Sequence, residues 1–425
     1  MDTTMSNVSQ MTKFSMSATE FTILTATLMS IVAISIDALL PALGFIAKDF
    51  AVADKNQVQL LISILFLGMA LGQLLCGPLS DALGRKPILY GGLAVYFVGT
   101  IICVFAQDLT VLIIGRLIQG IGVAGPYISA ISLVRDRYVG RDMAKVMSLV
   151  MMIFILVPAI APSIGQLILF AADWHGIFVF YIIYACAIIS WIFFRLPETL
   201  VPENRIPFTR TGFLNGFKEV LTNKSTTSLI VCIGCVFGSL IGYLNSSQQI
   251  FQTLFGTGEL FSVYFGILAL VLGVSSLANS RLVQKLGMHY IANCAICLII
   301  ASSLIFFALH YFAIHISLWM FMLYMAMIFF AFGLLFGNLN ALAMEPMGHV
   351  AGIASAVIGS VSSLMSITIG TTIGQFYDGT LLPLTIGFLV MSCIALLCLL
   401  YSSRQTQNSS ENADMTAPSA PSDSK

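Results

Sequence analysis

Apolar residues run along this chain in blocks of about twenty or more, separated by short polar breaks. The first block, FTILTATLMSIVAISIDALLPALGFIA, covers 21–47. Eleven more follow at about 57–79, 88–106, 110–134, 144–170, 176–195, 225–253, 261–280, 289–309, 317–342, 351–376 and 382–402. A helix needs about 20 apolar residues to cross a bilayer. Only helices and closed barrels can span one, and barrel strands alternate apolar and polar over about 10 residues. These blocks are continuous instead, so the pattern predicts an all-α membrane protein of 12 transmembrane helices. The first block is too long for the core of a secretory signal and lacks an early basic flank, so it is expected to stay as a span.

Composition agrees with the pattern. Of 425 residues, 58% are hydrophobic and 9% charged, against about 25% charged in a soluble domain. The longest polar interruption, 195–224, divides the spans into two sets of six. The expected organisation is a short N-terminal segment (1–20), a first six-helix half (21–195), a linker (196–224), a second half (225–402) and a disordered polar tail (403–425). Net charge is zero, but its placement is one-sided. With the linker inside, Lys48 and Lys55 are the only cations facing out, and Arg116 lies within a span. The positive-inside rule therefore places both termini in the cytoplasm.

The loop GPLSDALGRKP (77–87) and the loop SRLVQKLGMHY (280–290) occupy equivalent places in the two halves. At an offset of 203, Leu83 meets Leu286 and Gly84 meets Gly287. Parallel six-helix repeats are the plan of transporters that rock around a midplane cavity.

The first loop resembles motif A of the major facilitator superfamily through Gly77, Asp81, Gly84, Arg85 and Lys86. Its glycines suit a tight turn. Asp81 suits a cap or an ion pair, and the two cations are expected to hold the loop at the cytoplasmic face. LIIGRLIQGIGVA (112–124) resembles motif B, with Arg116, Gln119 and Gly120. ILVPAIAPSIGQLI (155–168) resembles motif C of the antiporter branch, with Pro158, Pro162 and Gly165, although Gln166 stands where a second glycine is usual. Prolines in a span bend it and small residues admit a close neighbour. DALLP (37–41) resembles the D-x-x-L-P signature of drug/proton antiporters. Together these segments look most like the Bcr/CflA branch. The resemblance implies a major facilitator fold and proton-coupled efflux of small, mostly apolar organic compounds across a bacterial inner membrane. Export of one native metabolite or siderophore is the alternative, with uptake by proton symport behind it.

Two charges stand inside the spans. A permanent guanidinium at membrane depth must face a cavity or a counter-charge. By residue count, Arg116 lies about 9 Å and Asp37 about 4–5 Å outward of their span centres, so the two are expected within reach of each other. Burial and a neighbouring cation act on a carboxyl in opposite senses, so such an acid can take up and release a proton. Asp37 and Arg116 are the candidate coupling residues, with the proton as coupling ion and no other cofactor. Candidate substrate contacts are Tyr127, Asn245, Gln248, Gln249, Phe251 and Asn338. They are amides and aromatics suited to a weakly polar ligand, and interhelical hydrogen bonding is the competing role. The pairs Cys232/Cys235 and Cys294/Cys297 lie in apolar spans with no His or acid nearby and are expected to pack, not to bind metal. No nucleophile and base face each other at depth, so an enzyme is not expected. The expected partners are a small-molecule substrate and the bilayer, with no nucleic acid, for a chain acting as a monomer.

Overall fold

The computed structural model describes residues 16–138, 140–201, 203, 205, 210–312 and 316–416. Parts of the expected N-terminal segment and tail lie outside them. The described residues form helices and turns, with no strand among them. Twelve helical stretches are long and apolar enough to cross a membrane.

Span one is built in two pieces. Its first helix, α1 (Ala18–Asp37), starts at Ser17, whose hydroxyl accepts from the Glu20 N–H at 3.1 Å. It stops at Asp37, and a 3₁₀ turn (Leu40–Ala42) and α2 (Leu43–Asp49) complete the span. Pro41 accounts for the break: it has no N–H to offer the Asp37 carbonyl four residues back, and its ring crowds that carbonyl. The rest of the first half is α3 (Leu60–Leu83), α4 (Arg85–Val104), α5 (Leu109–Arg137), α6 (Gly140–Ala171) and α7 (His175–Arg195).

The linker holds a helix that its polar composition did not announce, α8 (Arg210–Thr222). The second half is α9 (Lys224–Gln248), extended by a π-helical turn (Gln249–Leu254), then α10 (Phe261–Leu286), α11 (Met288–Tyr311), α12 (Leu318–Met344), α13 (Ala351–Gln375) and α14 (Leu382–Thr416). The expected disorder from 403 is corrected in part, because α14 continues to Thr416. Residues 403–416 contain neither Gly nor Pro to stop it.

The halves meet along two seams, α3 against α13 and α6 against α10. Twelve crossings put both ends of the bundle and α8 on one face, here the proximal face; the opposite one is the distal face. Within the first half, glycines set the spacing. A Cβ on Gly120 would collide with the Leu65 carbonyl of α3, and one on Gly122 with the Tyr96 amide of α4. Close backbone approach through small residues is how membrane helices associate without a hydrophobic drive between them. The repeated loops also match in geometry. Gly84 ends α3 at φ 108° and Gly287 ends α10 at φ 79°, a region costly for any residue with a side chain.

Candidate functional site

Asp37 sits where span one breaks, on the side facing the second half. The turn Leu40–Ala42 packs on α6 and α9. Asp37 is 4% exposed, and its carboxyl group makes no hydrogen bond or ion pair among the described residues. Two residues earlier, Ser35 anchors a polar chain. Its hydroxyl shares a 2.8 Å hydrogen bond with the Tyr96 hydroxyl, and its carbonyl accepts from the Tyr181 hydroxyl at 3.3 Å. Spans one, three and six are thereby tied just beside the acid.

Arg116 is not the partner expected for it. The guanidinium is fully buried inside the first half. Its Nε donates to the Leu61 carbonyl at 3.1 Å and its Nη1 to Gln119 Oε1 at 2.6 Å; Gln119 in turn donates to Thr100 Oγ1 at 2.9 Å. Nη2 has no partner. Residue counting placed the two charges at similar depth, but depth says nothing of rotation about the helix axis. Arg116 is bonded to α3 and, through Gln119, to α4, whereas the residues that follow Asp37 pack on α6 and α9.

The motif C segment supplies the wall behind Asp37. Gly165 lies on the carbonyl of Ala38, the residue after the acid, where a Cβ would collide with that oxygen. The same stretch of α6 also carries the seam to the second half. Ser262 Oγ donates to the Pro162 carbonyl at 3.1 Å, and Gly266 lies so close to Ala159 that a Cβ there would come within 2.8 Å of its carbonyl oxygen. Pro158 and Pro162 lie inside α6. Gln166 is buried with its Oε1 unpartnered. Gly165→Ala is expected to force α1 and α6 apart. Overpacking of this kind costs about 1–3 kcal/mol, read as a melting temperature lowered by several degrees in detergent.

The candidate substrate amides are engaged elsewhere. Asn245 Nδ2 donates to Ser63 Oγ at 2.9 Å and to the Gly370 carbonyl at 3.1 Å. Gln249 accepts from Gln59 Nε2 at 3.3 Å and donates to the Lys55 carbonyl at 3.0 Å. Gln248 donates to Gln252 at 2.7 Å and lies against Gly44. Nearer the distal face, Asn56 Nδ2 donates to the carbonyls of Gln375 and Tyr377, and Gln375 Nε2 returns a bond to the Asn56 carbonyl. These bonds form a clasp between the halves on the distal side. A cleft of about 510 Å³ lies there, lined by Lys48, Lys55, Gln59, Gln248 and Gln249 among others. Phe251 is buried among Phe261, Tyr264 and Phe321. Asn338 donates to Asn279 within the second half, and Tyr127 is half-buried. The interhelical role therefore describes Asn245, Gln249 and Asn338 in this conformation, while Gln248 bonds within its own span. The sequence reading passed over Asn56, Gln59 and Ser63; isolated polar residues at the start of span two were the available signal.

On the proximal face, motif A builds an ionic knot. Arg85 is 3% exposed. It bonds Asp81 Oδ1 at 2.6 Å, Ser80 Oγ at 3.0 Å and both oxygens of Asp136 at 2.8 and 3.1 Å. Thr199 donates to Asp136 at 2.9 Å, and the Glu198 carboxylate accepts from the N–H groups of Arg85 and Lys86 at the start of α4, a favourable place for an anion. Lys86 lies over the Tyr90 ring. A Cβ on Gly77 would meet Ala356 of α13 at an ordinary contact distance. In the second half, Met288 stands where the repeat puts Arg85.

The family model of the Major Facilitator Superfamily matches residues 23–371. The chain belongs to the major facilitator superfamily. Among curated relatives it is 29% identical over 346 residues to the uncharacterized MFS-type transporter YdgK of Bacillus subtilis, covering 80% of this chain and 85% of that one. It is 27% identical over 369 residues to a bicyclomycin resistance protein homolog of Haemophilus influenzae, covering 86% and 91%. To the multidrug resistance protein MdtL of Escherichia coli it is 28% identical, covering 76% and 80%. The fold matches the xylose transporter XylE of E. coli at a TM-score of 0.69 and 13% identity, over 90% of this chain and 97% of that one. It matches the human organic anion transporter MFSD10 at 0.64 and 17%, over 90% and 98%. As a major facilitator, this chain is a multi-pass membrane transporter, and its distal clasp lies between the two halves of that fold.

Proposed function

We propose that this protein exports small, mostly apolar organic compounds, drugs among them, across a bacterial inner membrane in exchange for protons. Both termini are in the cytoplasm, so the distal clasp faces outward. The observation that carries the reading is Asp37: an acid held at the break in span one, buried between the halves and without a fixed counter-charge. An acid in that place changes its surroundings when the halves rock, which is what a proton carrier requires. The names borne by the relatives from H. influenzae and E. coli support the class of solute. One charge crossing 100 mV is worth about 2.3 kcal/mol, and one pH unit adds about 1.4 kcal/mol. One inward proton thus sustains an outward solute gradient on the order of several hundredfold.

The test uses everted membrane vesicles whose lumen has been acidified by respiration. Adding a transported compound is expected to release luminal protons, seen as recovery of a quenched acridine dye. A panel of hydrophobic cations, neutral antibiotics and organic anions that evokes no recovery beyond that of vesicles lacking the protein would refute the antiport reading.

A further inference from the structure

Two polar groups near the place where the turn after Asp37 packs on α9 are left unmatched. One is the Asp37 carboxyl in the first half. The other is the Tyr243 hydroxyl on α9 in the second, on a side chain that is fully buried and whose oxygen has no hydrogen-bond partner. The Tyr243 ring is fixed between Phe265, stacked at 6.0 Å, and Phe329, edge-on at 5.2 Å. An unmade hydrogen bond in a dry place costs about 1–3 kcal/mol, so such a group is expected to find a partner in another state of the molecule.

The surroundings leave few choices. Tyr181 on α7 and Tyr243 on α9 are titratable groups in electrostatic range of Asp37. Tyr181 already donates to the Ser35 carbonyl. Arg116 on α5, with Tyr96 and Cys103 on α4, forms a second group that acts on Tyr181. The stretch of α6 against Ala38, APSIGQLILFA (161–171), has no ionisable side chain. From α10 and α12, Phe265 and Phe329 meet the Tyr243 ring.

We propose that Tyr243 is a positioning residue for proton coupling: its hydroxyl donates to the Asp37 carboxylate once the proton has left, drawing α9 toward the break in span one. The proposal rests on Asp37 being the proton carrier. It makes the link between proton and motion a single bond across the halves, present with the ionised acid and absent with the neutral one, which needs no donor.

Tyr243→Phe keeps the ring and removes only the hydroxyl. The probe is dicyclohexylcarbodiimide, which modifies carboxyl groups in their protonated form. Labelling of the Asp37 peptide in the purified full-length protein is followed by mass spectrometry from pH 5 to 9. Loss of a donor to the ionised form is expected to move the labelling midpoint up by about one pH unit, with melting temperature unchanged. An unmoved midpoint overturns the role of Tyr243 and leaves the carrier reading standing. Labelling of the wild type that does not vary with pH, or full coupling in Asp37→Asn, overturns both.

Discussion

Asp37→Asn is expected to reduce substrate-evoked proton release in everted vesicles to background. The amide has nearly the shape of the acid but cannot deliver a proton. Because the carboxyl makes no hydrogen bond or ion pair among the described residues, the exchange strands no neighbour. Melting temperature and substrate affinity, measured on purified protein, are expected to stay close to wild type. The separation is diagnostic, since a misfolded variant loses binding and coupling together, whereas a variant without its carrier loses coupling alone. Coupled efflux at wild-type rate would remove Asp37 from the mechanism.

The second large effect concerns the clasp. Gln59 and Gln249 meet across the halves at 3.3 Å and line the distal cleft. If solute leaves by that side, this contact opens in every cycle. Gln59→Cys with Gln249→Cys, bridged by a short bis-thiosulfonate reagent, is therefore expected to stop transport. Dithiothreitol is expected to restore it, and each single variant treated with the same reagent should keep its activity. A bridged double variant that still transports would show that the halves part elsewhere. Neutral amides suit a contact that must be made and broken repeatedly. A net hydrogen bond contributes about 0.5–1.5 kcal/mol, so several hold the side shut without trapping it.

How far the sequence reached depends on what each reading used. Span positions came from hydropathy, which the bilayer enforces residue by residue, and twelve helices of that kind are present. The offset of 203 predicted like geometry at Gly84 and Gly287, and both adopt positive φ. Depth along a helix was also readable, because rise per residue is fixed. Rotation about the axis was not. Asp37 and Arg116 were matched in height, yet Arg116 bonds the Leu61 carbonyl and Gln119 and makes no ion pair with Asp37. Likewise the amides of span seven stood out in the sequence, but the partners Gln59 of Gln249 and Ser63 of Asn245 lie 190 and 182 positions away. The helix α8 and the continuation of α14 went unseen because polar segments give no hydropathy signal, and only the lack of breakers marks them.

The ionic knot at Arg85 has no twin. Its counterpart Met288 offers no charge, so the two proximal turns, alike in backbone, differ in what fastens them. One is pinned by ion pairs on a buried guanidinium, the other by the hydrogen bond between His289 and Ser403. When the halves rock, resistance at this face is lopsided: one pivot is stiff and the other yields, and a symmetric see-saw is a poor picture of the motion.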